Sequence, residues 1–128
     1  MSAQRFATAI NCIDGRTQEP VLKYIKTFYG VDFVDLITEP GPNKILAENC
    51  ENKIIESIKR RVEISIEKHN SELIALVGHF DCAGNPEEQA TQEKQIRMAF
   101  KVIESWNFKT QIIGLWVDKY WEVHKVSL

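Results

Sequence analysis

Leu73–Pro86, LIALVGHFDCAGNP, constrains the fold more than any other stretch of the chain. A short run of Leu, Ile, Ala and Val closed by Gly78 has the length and composition of a buried strand, expected over Leu73–Val77. His79 and Cys82 follow as H-x-x-C. Asn85-Pro86-Glu87-Glu88 then reads as a helix start, with Asn85 as N-cap, Pro86 in the first helical position and Glu88 completing a capping box. His79 and Cys82 are therefore expected in the turn between the carboxyl end of a strand and a helix, where open α/β sheets carry their ligands. Phe6–Cys12, FATAINC, repeats the layout, ending in Cys12-Ile13-Asp14-Gly15-Arg16 ahead of a helical pattern. Two such turns point to one split site.

The rest of the chain supplies the scaffold. Thr17–Tyr29 carries Val21, Leu22, Ile25, Phe28 and Tyr29 at helical spacing, with Thr17 as a cap and Gly30 suited to a left-handed end. Asp32–Thr38 is the second strand, and Glu39-Pro40-Gly41-Pro42-Asn43 is the strongest loop signal. Lys44–His69 reads as one long helix whose inner face includes Ile45, Leu46, Cys50, Ile54, Ile55, Ile58, Val62 and Ile66. A further helix is expected from about Pro86 to Trp106, then a strand at Gln111–Val117. Trp121, Val123 and Val126 suggest a last strand folding back on it. Strands alternating with helices imply an α/β fold: a single domain over residues 1–128, with an open, mostly parallel sheet and helices on both faces. The expected strand order is 2-1-3-4 with an antiparallel last strand. That order reverses direction between the first and third strands, and so brings Cys12 to one lip of a crevice and His79 and Cys82 to the other.

Charge and cysteine content exclude several function classes. Sixteen basic and 18 acidic residues give a net charge of −2, and no basic cluster interleaves with aromatics. Lys59-Arg60-Arg61 falls within a helical pattern and reads as a solvated face. Nucleic acid is not expected as a partner, nor a membrane, since no apolar run reaches spanning length. MSAQRF leads straight into the first strand without a signal peptide pattern, and three cysteines without C-x-x-C spacing make no disulfide framework. The expected location is cytoplasmic. Cys50 is read as a core thiol, and neither His69 nor His124 is assigned to metal. Trp106, Trp116 and Trp121 are read as core or dimer contacts.

Two thiolates and an imidazole, from Cys12, Cys82 and His79, are three of the four donors of a tetrahedral zinc site. Asp14 is the candidate fourth ligand. Arg16, two residues further on, is placed to form a bidentate pair with that carboxylate. Held by Arg16, Asp14 leaves the fourth position to water, whose pKa zinc lowers from about 15.7 to about 7, giving a hydroxide nucleophile. Released, Asp14 closes the site. A phosphatase-type C-x5-R loop is excluded at Cys12, because Gln18 stands where the arginine would be. Thiol redox chemistry remains an alternative class.

C-x-D-x-R (Cys12 to Arg16) followed by G-H-x-x-C (Gly78 to Cys82), each at a strand end, resembles the β-class carbonic anhydrases. The resemblance implies Cys12, His79 and Cys82 as zinc ligands and Asp14–Arg16 as the catalytic dyad that gates and orients the zinc-bound water. It implies reversible hydration of carbon dioxide to bicarbonate, with carbon dioxide or an analogue as the small-molecule substrate, and a homodimer or higher homo-oligomer. Three features depart from the family. The N-terminal helices that wrap a dimer partner are not expected here, since MSAQRF leads straight into the first strand. Ile37–Asn43 stands where R-N-A-G-N is common, and Ala83 takes the place of the glycine after the second cysteine, with Gly84 one later. They mark a short, divergent branch. Two alternatives accompany this reading: hydrolysis of carbonyl sulfide or carbon disulfide, and a zinc-binding, non-catalytic domain closed by Asp14.

Overall fold

The computed structural model describes residues 4–50 and 52–128. Strands buried on both faces make the centre of its sheet. The strands are β1 (Phe6–Cys12), β2 (Phe33–Glu39), β3 (Leu73–His79), β4 (Gln111–Val117) and β5 (Val123–Val126), in the order β2-β1-β3-β4-β5. β2, β1, β3 and β4 pair in parallel, and β5 returns antiparallel to β4. The expected order and the antiparallel last strand both hold. β3 is buried along its whole length, as an apolar run in a central parallel strand must be.

Each sheet face is covered by helix. Ala7, Ala9, Leu73, Ala75, Val77, Leu115 and Val117 face α1 (Gln18–Tyr29), which inserts Val21 and Ile25. Ile10, Ile37, Ile74, Leu76 and Trp116 face the opposite layer of α2 (Pro42–Glu48), α3 (Lys53–His69) and α4 (Gln89–Ser105). Ile58, Val62 and Ile103 from that layer are fully or almost fully buried, each contributing about 1.5–3 kcal/mol of apolar burial. A hydroxyl cluster also docks α3: Ser65 Oγ lies 2.6 Å from Thr8 Oγ1 and donates to Asp35 Oδ2 at 2.7 Å.

Local signals moved several boundaries. The expected single helix over Lys44–His69 is two helices, because Asn49 ends α2 in a left-handed conformation (φ 45°) and Asn52 caps α3, its side chain accepting from the Ile55 amide at 2.9 Å. Cys50 sits at that break and is exposed, not a core thiol. The helix expected from Pro86 begins at Gln89, with Glu88 at the N-cap position and no side-chain cap. Asn85 caps nothing; it is buried, and its side-chain amide donates to Gln95 Oε1 at 2.6 Å. Thr17 likewise directs its hydroxyl to the Asp14 carbonyl and makes no cap bond to α1, while Gly30 does take the left-handed position (φ 66°). Phe28 and Ile54, placed on inner faces by spacing, are 69% and 46% exposed. β3 runs to His79 and β2 to Glu39, each beyond its expected end. Among the described residues no helix is long and apolar enough to cross a membrane.

Candidate metal centre

Sheet divergence makes the site. The β1–β3 ladder pairs Thr8 with Ile74, Ala9 with Ala75 and Ile10 with Leu76, and stops there. β1 continues against β2 as far as Cys12–Glu39, and β3 against β4 as far as His79–Val117. The two strands part, and their last residues line the crevice expected at a switch point.

Cys12, His79 and Cys82 meet in it, 3%, 1% and 4% exposed. The two Sγ atoms are 3.7 Å apart, and one donor atom from each of the three residues lies within 4.8 Å of the others. His79 Nδ1 is 2.7 Å from the Phe80 carbonyl oxygen, which only accepts, so Nδ1 carries the proton. That leaves Nε2 with its lone pair free, and it is buried without a hydrogen-bond partner. An orphaned imidazole nitrogen beside two buried thiols fits a soft divalent metal, since one ion would satisfy all three groups at once. The fixed Nδ1–H tautomer is also the arrangement a metal-ligating histidine requires.

Without an ion the thiols share a proton unequally. The Cys82 S–H donates toward Cys12 and favours its thiolate. That outweighs the cost of burial and, with help from His79 and the backbone amides of Asp14 and Gly41, lowers Cys12 to about 4. Cys82, which keeps the proton and is itself buried, is pushed up. Burial opposes an imidazolium at His79, but the facing Cys12 sulfur and the Phe80 carbonyl together leave it raised.

Asp14 and Arg16 occupy the turn leaving β1. Arg16 Nη2 lies 2.7 Å from Asp14 Oδ2 and Nε lies 3.0 Å from Oδ1, and the Arg16 backbone N–H also donates to Oδ1 at 2.9 Å. Hydrogen bonding to Arg16 lowers the Asp14 carboxyl to about 2, against the cost of burial. Arg16 is raised in turn, chiefly by the same bond. Its other face joins the two motifs, with Nη1 3.3 Å from Asp81 Oδ2 and Nη2 donating to the Asp81 carbonyl at 3.2 Å. Trp121, in the β4–β5 turn, stacks on the guanidinium at 4.6 Å. Asp14 is thus turned to Arg16, apart from the three-donor cluster. A cleft of about 490 Å³ opens beside Cys82, walled by Phe80, Trp116 and Tyr120.

All five residues singled out in the sequence converge here. Others at the site were not. Gly41 and Gly84 let two backbones touch: a Cβ on Gly84 would sit 2.6 Å from Pro40 C, and one on Gly41 would sit 2.7 Å from Asn85 Cβ. Asn43 Nδ2 donates to the Val77 carbonyl at 2.8 Å. The Glu39–Asn43 run read as a loop, but only Pro40 and Gly41 lie between β2 and α2, whose first residues are Pro42 and Asn43, and nothing in the run said where it packs. A second grouping, Asp118, Glu122 and His124, is a turn in which Asp118 already accepts from the Tyr120 and Glu122 amides and pairs with His124.

A family profile described as "Putative carbonic anhydrase" matches residues 2–127. No curated protein matches the sequence. Among solved structures, the chain is similar to one of two tetrameric β-carbonic anhydrases from the filamentous ascomycete Sordaria macrospora, with a TM-score of 0.56 and 13% identity over 100% of this chain and 83% of that one. It is similar to the β-carbonic anhydrase CcaA, with a TM-score of 0.57 and 14% identity over 98% and 81% of the two chains. It also resembles CafA of the fungal pathogen Aspergillus fumigatus, with a TM-score of 0.54 and 12% identity over 97% and 76%. At such identities the likeness concerns the fold.

Proposed function

The chain belongs to the putative carbonic anhydrase family, and on that premise we propose that it is a zinc enzyme catalysing the reversible hydration of carbon dioxide to bicarbonate and a proton. Cys12, His79 and Cys82 would hold the ion. The observation that carries the reading is the buried, unpartnered His79 Nε2 in a cluster with two buried thiols 3.7 Å apart. Zinc held there would supply Lewis acidity, bringing the pKa of a bound water to about 7. Thiolate is the binding form of cysteine, and the lowering of Cys12 favours that form at neutral pH.

Asp14 and Arg16 act on the water and substrate. With its carboxyl lowered to about 2, Asp14 stays ionised throughout the neutral range and accepts a hydrogen bond without taking up the proton. Arg16 occupies both carboxylate oxygens and is itself anchored by Asp81 and Trp121. This pairing favours an open fourth position over the non-catalytic alternative in which Asp14 closes the site. Residues 1–128 act as one domain in this reading. Three free thiols suit a reducing, cytoplasmic setting, and the tetrameric assembly named for the Sordaria macrospora relatives supports a homo-oligomer.

The test is elemental analysis joined to a stopped-flow carbon dioxide hydration assay. One zinc per chain with hydration above the buffer rate is expected. A fully zinc-loaded protein that is inert toward carbon dioxide would overturn the assignment, and turnover of carbonyl sulfide by the same sample would redirect it to the analogue.

A further inference from the structure

Gln92, on the first turn of α4, is 1% exposed and hydrogen-bonds to neither thiol, yet its carboxamide is bonded to the main chain on both sides of the H-x-x-C turn. Oε1 accepts from the His79 amide at 3.2 Å. Nε2 donates to the His79 carbonyl at 2.9 Å, the Glu87 carbonyl at 3.0 Å and the Asn85 carbonyl at 3.3 Å. Both backbone groups of one ligand, and the segment that follows the other, are therefore held by one side chain.

The sheet explains why such a clamp is needed. Once β1 leaves β3 after Leu76, the next main-chain groups of β3 lose a strand neighbour in a buried place, where unpaired amides and carbonyls are costly. Side-chain amides take over: Asn43 on the Val77 carbonyl, and Gln92 on the His79 amide and carbonyl. Gly78 makes room, since a Cβ there would lie 2.9 Å from Gln92 Oε1. We propose that Gln92 is a positioning residue of the metal centre, setting the His79 main chain and the Cys82–Glu87 turn so that the three donors converge before an ion arrives. This rests on the reading of Cys12, His79 and Cys82 as ligands, but not on the identity of the substrate.

Gln92→Met keeps the length of the side chain and removes the carboxamide. Gln92→Glu keeps the acceptor for the His79 amide and loses the donors. Ile103→Val, further along α4, controls for general loosening of the helix. Zinc release to a chelator should quicken by at least about tenfold in both Gln92 variants and stay near the wild-type rate in the control. The visible spectrum of the cobalt-substituted protein should shift in the Gln92 variants alone. In metal-free wild type, the His79 amide should resist hydrogen exchange as the Leu76 amide does, a readout that needs no variant to fold. Wild-type release rates and an unchanged cobalt spectrum in the variants would overturn the role of Gln92 while leaving the metal centre standing. So would equal losses in Ile103→Val, or a freely exchanging His79 amide. A wild-type chain that takes up no zinc would overturn both.

Discussion

Gly84→Ala probes whether the metal centre depends on two backbones in contact. A Cβ at this position would meet Pro40 C at 2.6 Å and Pro40 Cβ and O at 2.8 Å, and two of those three atoms are main chain. Ordinary contact begins at 3.4 Å, so the 40–43 and 82–85 segments must part by about 0.8 Å. The two segments are close-packed at Gly41 as well, where a Cβ would lie 2.9 Å from Gly84 C. Zinc sites accept donor displacements of only about 0.2 Å. Overpacking of this kind costs about 1–3 kcal/mol, a fall of about 1 M in the urea midpoint at a slope of about 2 kcal/mol/M. Gly84 lies two residues after Cys82, so the displacement should reach the ligand. The expected result is a folded protein with a lowered midpoint and less than stoichiometric zinc, measured by circular dichroism and elemental analysis. Gly15→Ala is the control, since nothing lies within 4 Å of its Cβ position. A Gly84→Ala protein that binds one zinc and unfolds at the wild-type midpoint would refute the reasoning.

Cys12→Ala, His79→Ala and Cys82→Ala should each abolish stoichiometric zinc binding, and full zinc content in any one of them removes that residue from the ligand set. Asp14→Asn should keep zinc and lower turnover by about 10- to 100-fold, the usual effect of losing a partner next to a metal centre; unchanged turnover would show that the dyad is not catalytic. Because the Asp14 carboxyl is lowered from 3.8 to about 2, its stabilisation is fully present above pH 4 to 5 and fades as pH falls toward 2. Acid titrations of metal-free wild type and Asp14→Asn should therefore converge on acidification, from a gap of about 1 kcal/mol or less given that Arg16 is 48% exposed. A gap that widens on acidification contradicts the pairing. Trp121→Ala should raise KM or lower kcat while Trp121→Phe retains activity, if stacking on Arg16 holds the dyad; equal loss in both excludes an aromatic-face contribution.

Local pattern determined much of this protein. Alternating and continuous apolar runs marked every strand, with β1 and β4 legible to the residue, and Gly30 announced the end of α1. Cys12, Asp14, Arg16, His79 and Cys82 stood out because each of the two motifs sits where a strand runs out. The helix break at 49–52 was also written locally, in Asn49 and Asn52, but the apolar spacing that continued across it masked the signal. Tertiary structure decided the rest. Whether Gly41 touches Gly84, whether Arg16 reaches Asp81 and Trp121, and which carbonyls Gln92 finds depend on how the sheet brings distant segments together. Hydrophobic periodicity records which face of an element is buried, whereas a buried amide's partners exist only once the elements have packed.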